Sequence, residues 1–489
     1  MENVSKQYII YNILKIQIQF GTYRYGEHLP RLEDTCELLS VSIYTVRCAY
    51  CRLQREGYIK LTKKGGSKIK VNYSEQEIEQ HIQSYFAPRK EMFLDAIKFM
   101  PQLLRNLQLT ACKNLSAETL DKLDVLVKSD HVHISYIILL YTELVYDSLG
   151  NDLLSHLMKN IIITFLFPFY NLQNWDSYLF MEADIVSSHV RLCREKRWDE
   201  LYIIWNRQLE QYLDAIKNFY NYRITIPIPE KQIPFTWDIN RDSTQICCSL
   251  GLRFCQMIVR NHYPVGSFLP SIEKLAAENN VSVSTIRRTL ELLNCAGITQ
   301  SINGVGTKVL NINQIEENCK WTDVKVQKYL LEYAFSMQIL ILSCWDIAKV
   351  TVDSLNHDNV TEYIKNLETF KNLNRLDLIT SFSFRFLADY APSSFIRTVY
   401  TKLYKQSFWG YPLQSKMENQ ELINIGYLKH YDKIIRCLEG SDALGFADNL
   451  EELLYSRMSR VSRVLVNVGI TDAEHLLDFS NQENSRIES

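Results

Sequence analysis

One unusual pattern occurs twice in this chain, displaced by 240 residues without a gap. From Gly26 the sequence runs GEHLPRLEDTCELLSVSIYTVRCAYCRLQREGYIKLTKKGGSKIKV, and from Gly266 it runs GSFLPSIEKLAAENNVSVSTIRRTLELLNCAGITQSINGVGTKVL. Leu29, Pro30, Glu33, Val41, Ser42, Thr45, Arg47, Leu53, Gly57 and Gly66 return as Leu269, Pro270, Glu273, Val281, Ser282, Thr285, Arg287, Leu293, Gly297 and Gly306. Solenoid units repeat every 20–50 residues or so, so this spacing means a whole domain used twice.

Each copy opens on an apolar-periodic helix, Ile9 to Phe20 and Leu250 to Val259. Gly and Leu-Pro then turn the chain and set the first residue of a second helix, periodic through Leu32, Cys36 and Leu39 or Ile272, Leu275 and Ala276. A Val-Ser-x-x-Thr connection follows, with Ser42 and Ser282 as N-caps of a third helix. Its inward face is Val46, Ala49 and Leu53, or Ile286, Leu290 and Leu293, and it stops at Gly57 or Gly297. Strand-like Tyr58–Leu61 and Ile298–Ile302 run through a Gly-containing turn into Lys68–Val71 and Thr307–Leu310. Helix, helix-turn-helix and β-hairpin together predict a winged helix, whose third helix enters the major groove of DNA.

Charge points the same way. Residues 1–72 hold twelve Lys and Arg against six Asp and Glu, and residues 243–312 hold six against three. The copies are thus +6 and +3 in a chain of net charge −2, which leaves −11 on the rest. Two basic modules on an acidic body are the asymmetry expected of a nucleic-acid binder.

Both copies resemble the N-terminal domain of the GntR family of bacterial transcription regulators, whose pattern is L-P-S-E-R-x-L-A, then V-S-x-x-T-V-R and a Gly-bearing wing. Copy 2 carries Leu269-Pro270-Ser271, Leu275-Ala276 and Val281-Ser282-x-x-Thr285-Ile286-Arg287. The resemblance implies DNA contacts at Ser42, Tyr44, Thr45 and Arg47, and at Ser282, Ser284, Thr285, Arg287 and the adjoining Arg288. Arg reads guanine bidentately or holds a phosphate, while Ser and Thr anchor backbone. Glu33 and Glu273 stand where the family has its L-P-S-E-R arginine, with Lys274 as a substitute in copy 2 and Asp34 beside it in copy 1. The wing of copy 1 adds Lys63 and Lys64 where copy 2 has Asn303 and Gly304, so the two readers are expected to prefer different sequences.

Between and after the copies lie long apolar-periodic stretches, Ile134–Tyr146, Leu153–Phe169, Trp198–Phe219 and Val324–Ala348, with little Gly and no strand-like alternation. The expected fold is mainly α, two winged helices alternating with two all-helical bundles. The limits read 1–73, 74–223, a Pro-containing linker at 224–242, 243–312, 313–475 and a polar tail at 476–489. The duplication continues more faintly: Val145–Leu154 aligns with Leu387–Ile396, and Trp198-Asp199 with Ser441-Asp442. These halves resemble the helical effector domain of FadR-like members, many of which hold a metal through Asp-x-x-x-His and two later His. Here Ile138 and Thr142, and Thr380 and Phe384, take the places of the first pair, so no metal is expected. His131 and His133 would point to different sides of a helix, and His189 and His430 stand alone as satisfied or surface histidines.

The N-terminus lacks the basic-apolar-small order of a signal peptide, and the most apolar run, Ile161–Phe169, is short of the ~20 residues that span a bilayer. Twelve scattered cysteines then read as reduced, buried small hydrophobes in a cytoplasmic protein. Cys48-Ala-Tyr-Cys51 is a lone C-x-x-C without the second pair that zinc needs. No G-x-S-x-G, P-loop or H-E-x-x-H occurs, and sixteen glycines are too few for a pyridoxal-phosphate domain with its phosphate loops. The expectation is a regulator without a cofactor. Its partner is a double-stranded DNA operator, with a small-molecule effector in the helical domains and a homodimer as further partners. The alternative is a degenerate interaction protein whose first winged helix is a docking or dimer surface.

Overall fold

The computed structural model describes residues 2–39, 41–61, 66–128, 133–174, 183–237, 242–311, 315–417 and 420–476. Helices run in the order α1 (Glu2–Gln19), α2 (Leu32–Leu39), α3 (Ile43–Arg55), α4 (Glu75–Phe86), α5 (Lys90–Lys113), α6 (Ala117–Val127), α7 (Ile134–Asp147), α8 (Asp152–Ile161), α9 (Phe167–Tyr170), α10 (Ala183–Arg194) and α11 (Trp198–Tyr222). They continue as α12 (Asp242–Val259), α13 (Ile272–Glu278), α14 (Val283–Cys295), α15 (Ile315–Asn318), α16 (Val324–Val352), α17 (His357–Asn372), α18 (Ile379–Tyr390), α19 (Ser394–Tyr404), α20 (Gly410–Met417), α21 (Gln420–Glu439), α22 (Ala443–Asn467) and α23 (Ala473–Leu476). Two antiparallel hairpins, β1 (Ile59–Leu61) with β2 (Ser67–Ile69) and β3 (Thr299–Ile302) with β4 (Gly306–Val309), are the sheets among the described residues. The fold is mainly α. Two compact units make it up, 1–101 with 108–240, and 102–107 with 241–489.

In the first unit, Ile10, Leu14 and Ile18 of α1 meet Val46, Ala49 and Leu53 of α3 and Ile59 and Ile69 of the hairpin in one buried cluster. Each Ile, Leu or Val among them contributes about 1.5–3 kcal/mol on full burial, which is why the expected inward faces are the observed ones. α1 begins at Glu2, ahead of the apolar period starting at Ile9, because helix continues through residues that carry no apolar signal. α3 ends in a Schellman turn: Gly57 has φ +86°, its N–H donates to the Gln54 carbonyl, and the Tyr58 N–H donates to the Leu53 carbonyl. α14 ends identically, with Gly297 at φ +73° donating to Asn294, and Ile298 donating to Leu293. Each wing gains a one-residue third strand, His28 opposite Lys68 and Phe268 opposite Lys308.

The remainder of the first unit is helical. Phe86, fully buried, packs against Phe93, Phe169 and Phe219 at centroid separations of 4.7–5.6 Å. The Ile161–Phe169 run is not a short isolated segment. A π-helical turn at Ile162–Leu166 joins α8 to α9, giving a continuous stretch Asp152–Tyr170 that is long and apolar enough to cross a membrane, as is Val324–Val352. Their apolar windows are 61% and 78% buried, the mark of core helices. The Pro-containing segment, where described, lies against the first helical domain. Trp237 is fully buried and its indole N–H donates to His156 Nδ1 at 3.2 Å, while the Ile233 N–H donates to the Pro88 carbonyl at 2.6 Å. It is a strap along the first helical domain, non-helical because its prolines cannot donate.

In the second unit α12 packs on α14 and also on the 3₁₀ turn Lys405–Trp409 of the helical part. There, a Cβ added at Gly251 would lie 2.9 Å from the Phe408 ring. The long α16 is paired chiefly with α22. The helical halves share a capped helix start: Asn151 caps α8 by accepting the Leu154 N–H, and Ser393 caps α19 by accepting the Ile396 N–H. The further pairing of Trp198-Asp199 with Ser441-Asp442 is out of register by two. Trp198 opens α11 and Ala443 opens α22, so these two correspond.

Candidate nucleic-acid interface

The third helix of each winged helix begins on a serine cap. The Thr45 N–H donates to Ser42 Oγ at 3.3 Å, and the Thr285 N–H to Ser282 Oγ at 3.2 Å. These caps satisfy one orphan donor and aim the helix N-terminus, with its partial positive charge, outward. On α3, Ile43 and Tyr44 are 43% and 59% exposed, and Arg47 follows on the same open face. On α14, Ser284, Arg287 and Arg288 are exposed.

Arg47, Arg287 and Arg288 make no ion pair with a carboxylate among the described residues. Two other arginines of the first module are engaged, Arg24 with Glu75 at 2.9 Å being one. Arg52 donates to Glu56 at 3.0 Å and lies 3.9 Å from the centre of the Tyr11 ring. Unpaired guanidiniums on a convex helix face are ready donors to phosphate or to a base edge.

Thr45 does not belong to that face. It is 1% exposed, with Oγ1 2.7 Å from Ser42 Oγ, so its hydroxyl is spent inside the cap. Thr285 is half-buried and makes the same contact at 2.8 Å. Ser42, Ser282 and Lys274 are exposed, Lys274 beside Glu278 at 3.9 Å. Asp34 accepts the Arg31 N–H at the start of α2. Lys63 and Lys64 lie outside the described residues.

Two features escaped the sequence reading. The wing of copy 2 presents Phe268, Ile302 and Val305 at 46%, 38% and 64% exposure, an apolar tip that hairpin alternation conceals. In copy 1 the buried Tyr50 donates to the Pro30 carbonyl at 2.8 Å and sits 3.0 Å from Thr35 Oγ1, tying α3 to α2. Copy 2 has Leu290 at that place, so no common motif marks it.

Of the cysteines, eight are buried, Cys36, Cys48 and Cys295 are half-buried, and Cys51 is exposed on α3. Among the described residues no three His, Cys, Asp or Glu are placed to hold a metal. Thr142 donates to the Ile138 carbonyl within α7, and Thr380 and Phe384 are buried on α18. His133 is the N-cap of α7 rather than a helical residue, its Nδ1 accepting the Ser135 N–H, and His131 lies outside the described residues. His430 is buried against Asn449 at 2.8 Å.

The model of the bacterial regulatory proteins of the gntR family matches residues 7–69 and 251–309. No curated protein matches the chain. Among solved structures, the chain is similar to Streptococcus agalactiae GntR at 20% identity, covering 43% of this chain and 98% of that one, with a TM-score of 0.20. It is similar to E. coli McbR/YncC at 16% identity, 45% and 100% coverage and a TM-score of 0.21. It is also similar to Lar, described as controlling the expression of the Listeria monocytogenes agr system and mediating virulence, at 17% identity, 46% and 99% coverage and a TM-score of 0.22. The two winged helices are therefore domains of the GntR family of bacterial DNA-binding regulators, carried in tandem by one chain.

Proposed function

We propose that the chain is a sequence-specific transcription regulator that works as a single-chain pseudo-dimer. The observation that carries this reading is the pair Arg47 and Arg287: the same position of two third helices, both exposed, both without a carboxylate partner among the described residues. Related regulators place two identical readers on a palindrome by dimerising, and here one chain supplies two unlike readers for an asymmetric site. Ser42, Tyr44 and Arg47 would contact one half-site. Ser282, Ser284, Thr285, Arg287 and Arg288, with Lys274 at the flank, would contact the other. In this reading the readers are 1–73 and 243–312, and the helical domains 74–223 and 313–475 sense a small molecule or a partner. The protein acts by binding, without catalysis, in the cytoplasm where the operator lies.

The test is DNA affinity of the full chain across salt. Each neutralised phosphate adds about −0.9 to the log–log slope, so a steep fall is expected. A flat response removes the reading.

A second reading is supported by Ile43 and Tyr44, whose exposed apolar surface stands at the head of α3. In it, copy 1 is a docking or dimer surface and copy 2 alone reads DNA. Tyr44→Ser would then change oligomeric state rather than half-site preference.

A further inference from the structure

The third helix of copy 1 carries a pair of thiols that copy 2 does not. At the 240-residue offset, Cys48 and Cys51 of α3 stand where α14 has Arg288 and Glu291. Cysteine is among the residue types most often buried. Cys51 is nevertheless the one exposed cysteine of the twelve, and Cys48, one turn before it, is half-buried. Both share the open face of α3 with the side chains read above as DNA contacts. Cys51 follows the exposed Arg47 by four residues and Cys48 follows the exposed Tyr44 by four, so each pair sits one turn above the other. The Cys48 thiol and the Tyr44 hydroxyl are in hydrogen-bond contact.

Residues three apart on an α-helix are separated by about 4.5 Å along the axis, which puts their Cα atoms roughly 5 Å apart. A disulfide accepts Cα separations of about 4.4–6.8 Å, so Cys48 and Cys51 are within reach of each other. Their Cβ atoms, about 5–6 Å apart on a regular helix, must close to about 3.5–4.5 Å. A bridge therefore forms only by tightening α3 between Arg47 and Arg52, and it takes the Cys48 sulfur away from Tyr44. The two side chains disturbed are ones that would contact the first half-site. α14 has no such pair. Its one cysteine, Cys295, is the last residue of the helix, and burial pushes its thiol pKa up, away from the reactive thiolate.

Resting on the reading of copy 1 as one of two DNA readers, we propose that Cys48 and Cys51 are a peroxide modification site that switches the first reader off and leaves the second on. The exposed Cys51 thiolate attacks one oxygen of hydrogen peroxide. The O–O bond breaks, Cys51 becomes a sulfenic acid, and the departing hydroxide takes up the thiol proton as water. The Cys48 thiolate then attacks the Cys51 sulfur, the S–S bond forms, and the sulfenic oxygen leaves as a second water. The two sulfurs lose two electrons and two protons, and one peroxide is reduced to two waters. A thiol reductant reopens the bridge by exchange. Under oxidation the chain changes from a binder of two half-sites to a binder of one.

The experiment treats the full chain with hydrogen peroxide, digests it with trypsin without reductant and weighs the peptides by mass spectrometry. Cleavage after Arg47 and Arg52 releases Cys48–Arg52 as one peptide, so the bridge appears as its loss of two hydrogens. On a selected operator, the oxidised chain should lose protection of the half-site read by α3. Affinity for that half should fall by roughly ten- to a hundredfold, the worth of one base-reading arginine. The half-site read by α14 should stay protected, and dithiothreitol should restore the other. Cys51→Ser, compared with itself before and after peroxide, should not respond. Oxidation that stops at a sulfenic or sulfinic acid, or that joins two chains through Cys51, overturns the proposal. So does a bridge that leaves both footprints as they were, or an undiminished response in Cys51→Ser. A reduced chain that binds no DNA sinks the regulator and the switch with it, whereas a DNA-binding chain whose peptide never bridges sinks only the thiol site.

Discussion

Lys196 and Ser441, 245 residues apart and chemically unlike, are the same residue of the fold. Both have φ +54°. Both close a helix: Lys196 N–H donates to Cys193 O and Arg197 N–H to Leu192 O, while Ser441 N–H donates to Leu438 O and Asp442 N–H to Cys437 O. The junction before the last long helix is therefore duplicated in backbone conformation, though not in sequence.

Left-handed backbone costs an L residue about 1–2 kcal/mol, partly offset when glycine replaces it because glycine has more freedom to lose. Lys196→Gly and Ser441→Gly should each stabilise the chain, by up to about 1 kcal/mol. Thermal unfolding of both variants measures this. A lowered Tm in both would refute the shared conformation.

The two Schellman glycines should respond unequally to alanine. Both are left-handed, but a Cβ at Gly57 meets nothing within 4 Å, whereas one at Gly297 lies 2.7 Å from the Cys319 backbone nitrogen. Gly57→Ala should cost about 1–2 kcal/mol, the conformational term alone. Gly297→Ala should cost more, because backbone must move, and denaturant midpoints of the two variants give the comparison.

His189 should make stability depend on pH. Burial beside Tyr141 and Trp205 lowers its pKa to about 4. A histidine depressed below its unfolded value of about 6.5 contributes stability above that pH and loses it as the pH falls towards 4. The loss should amount to about 3 kcal/mol across that window and then level off. His189→Gln should unfold with a shallower dependence over the same range. Identical slopes would show that this imidazole does not titrate with folding.

Division of labour between the readers is testable on a selected operator. Arg47→Ala and Arg287→Ala should each cost roughly 1–3 kcal/mol if the residue reads a base. The losses should fall on opposite halves of the footprint. If Arg47→Ala changes nothing while Arg287→Ala abolishes binding, the pseudo-dimer gives way to a homodimer using copy 2.

The winged helices were legible from residues alone because their signals are local. Val46, Ala49 and Leu53 are buried as their spacing requires, Ser42 and Ser282 cap as their side chains allow, and Gly57 and Gly297 stop helices as only glycine does cheaply. The apolar period likewise marked the helical halves, since a helix must bury one stripe whatever it packs against.

What depended on distant partners was not legible. Thr45 and Thr285 share one motif position, yet the first is sealed inside and the second half-open, because exposure is set by the surfaces packed around a residue. The prolines of 224–242 say that the segment is semi-extended, but not that Trp237 meets His156, 81 residues earlier. Arg457 and Thr380 are 77 residues apart and carry no common motif, and only the packing of α22 on α18 brings them to 3.0 Å. Local chemistry decided the elements of this protein, and tertiary packing decided which of its polar groups were buried and which were left exposed.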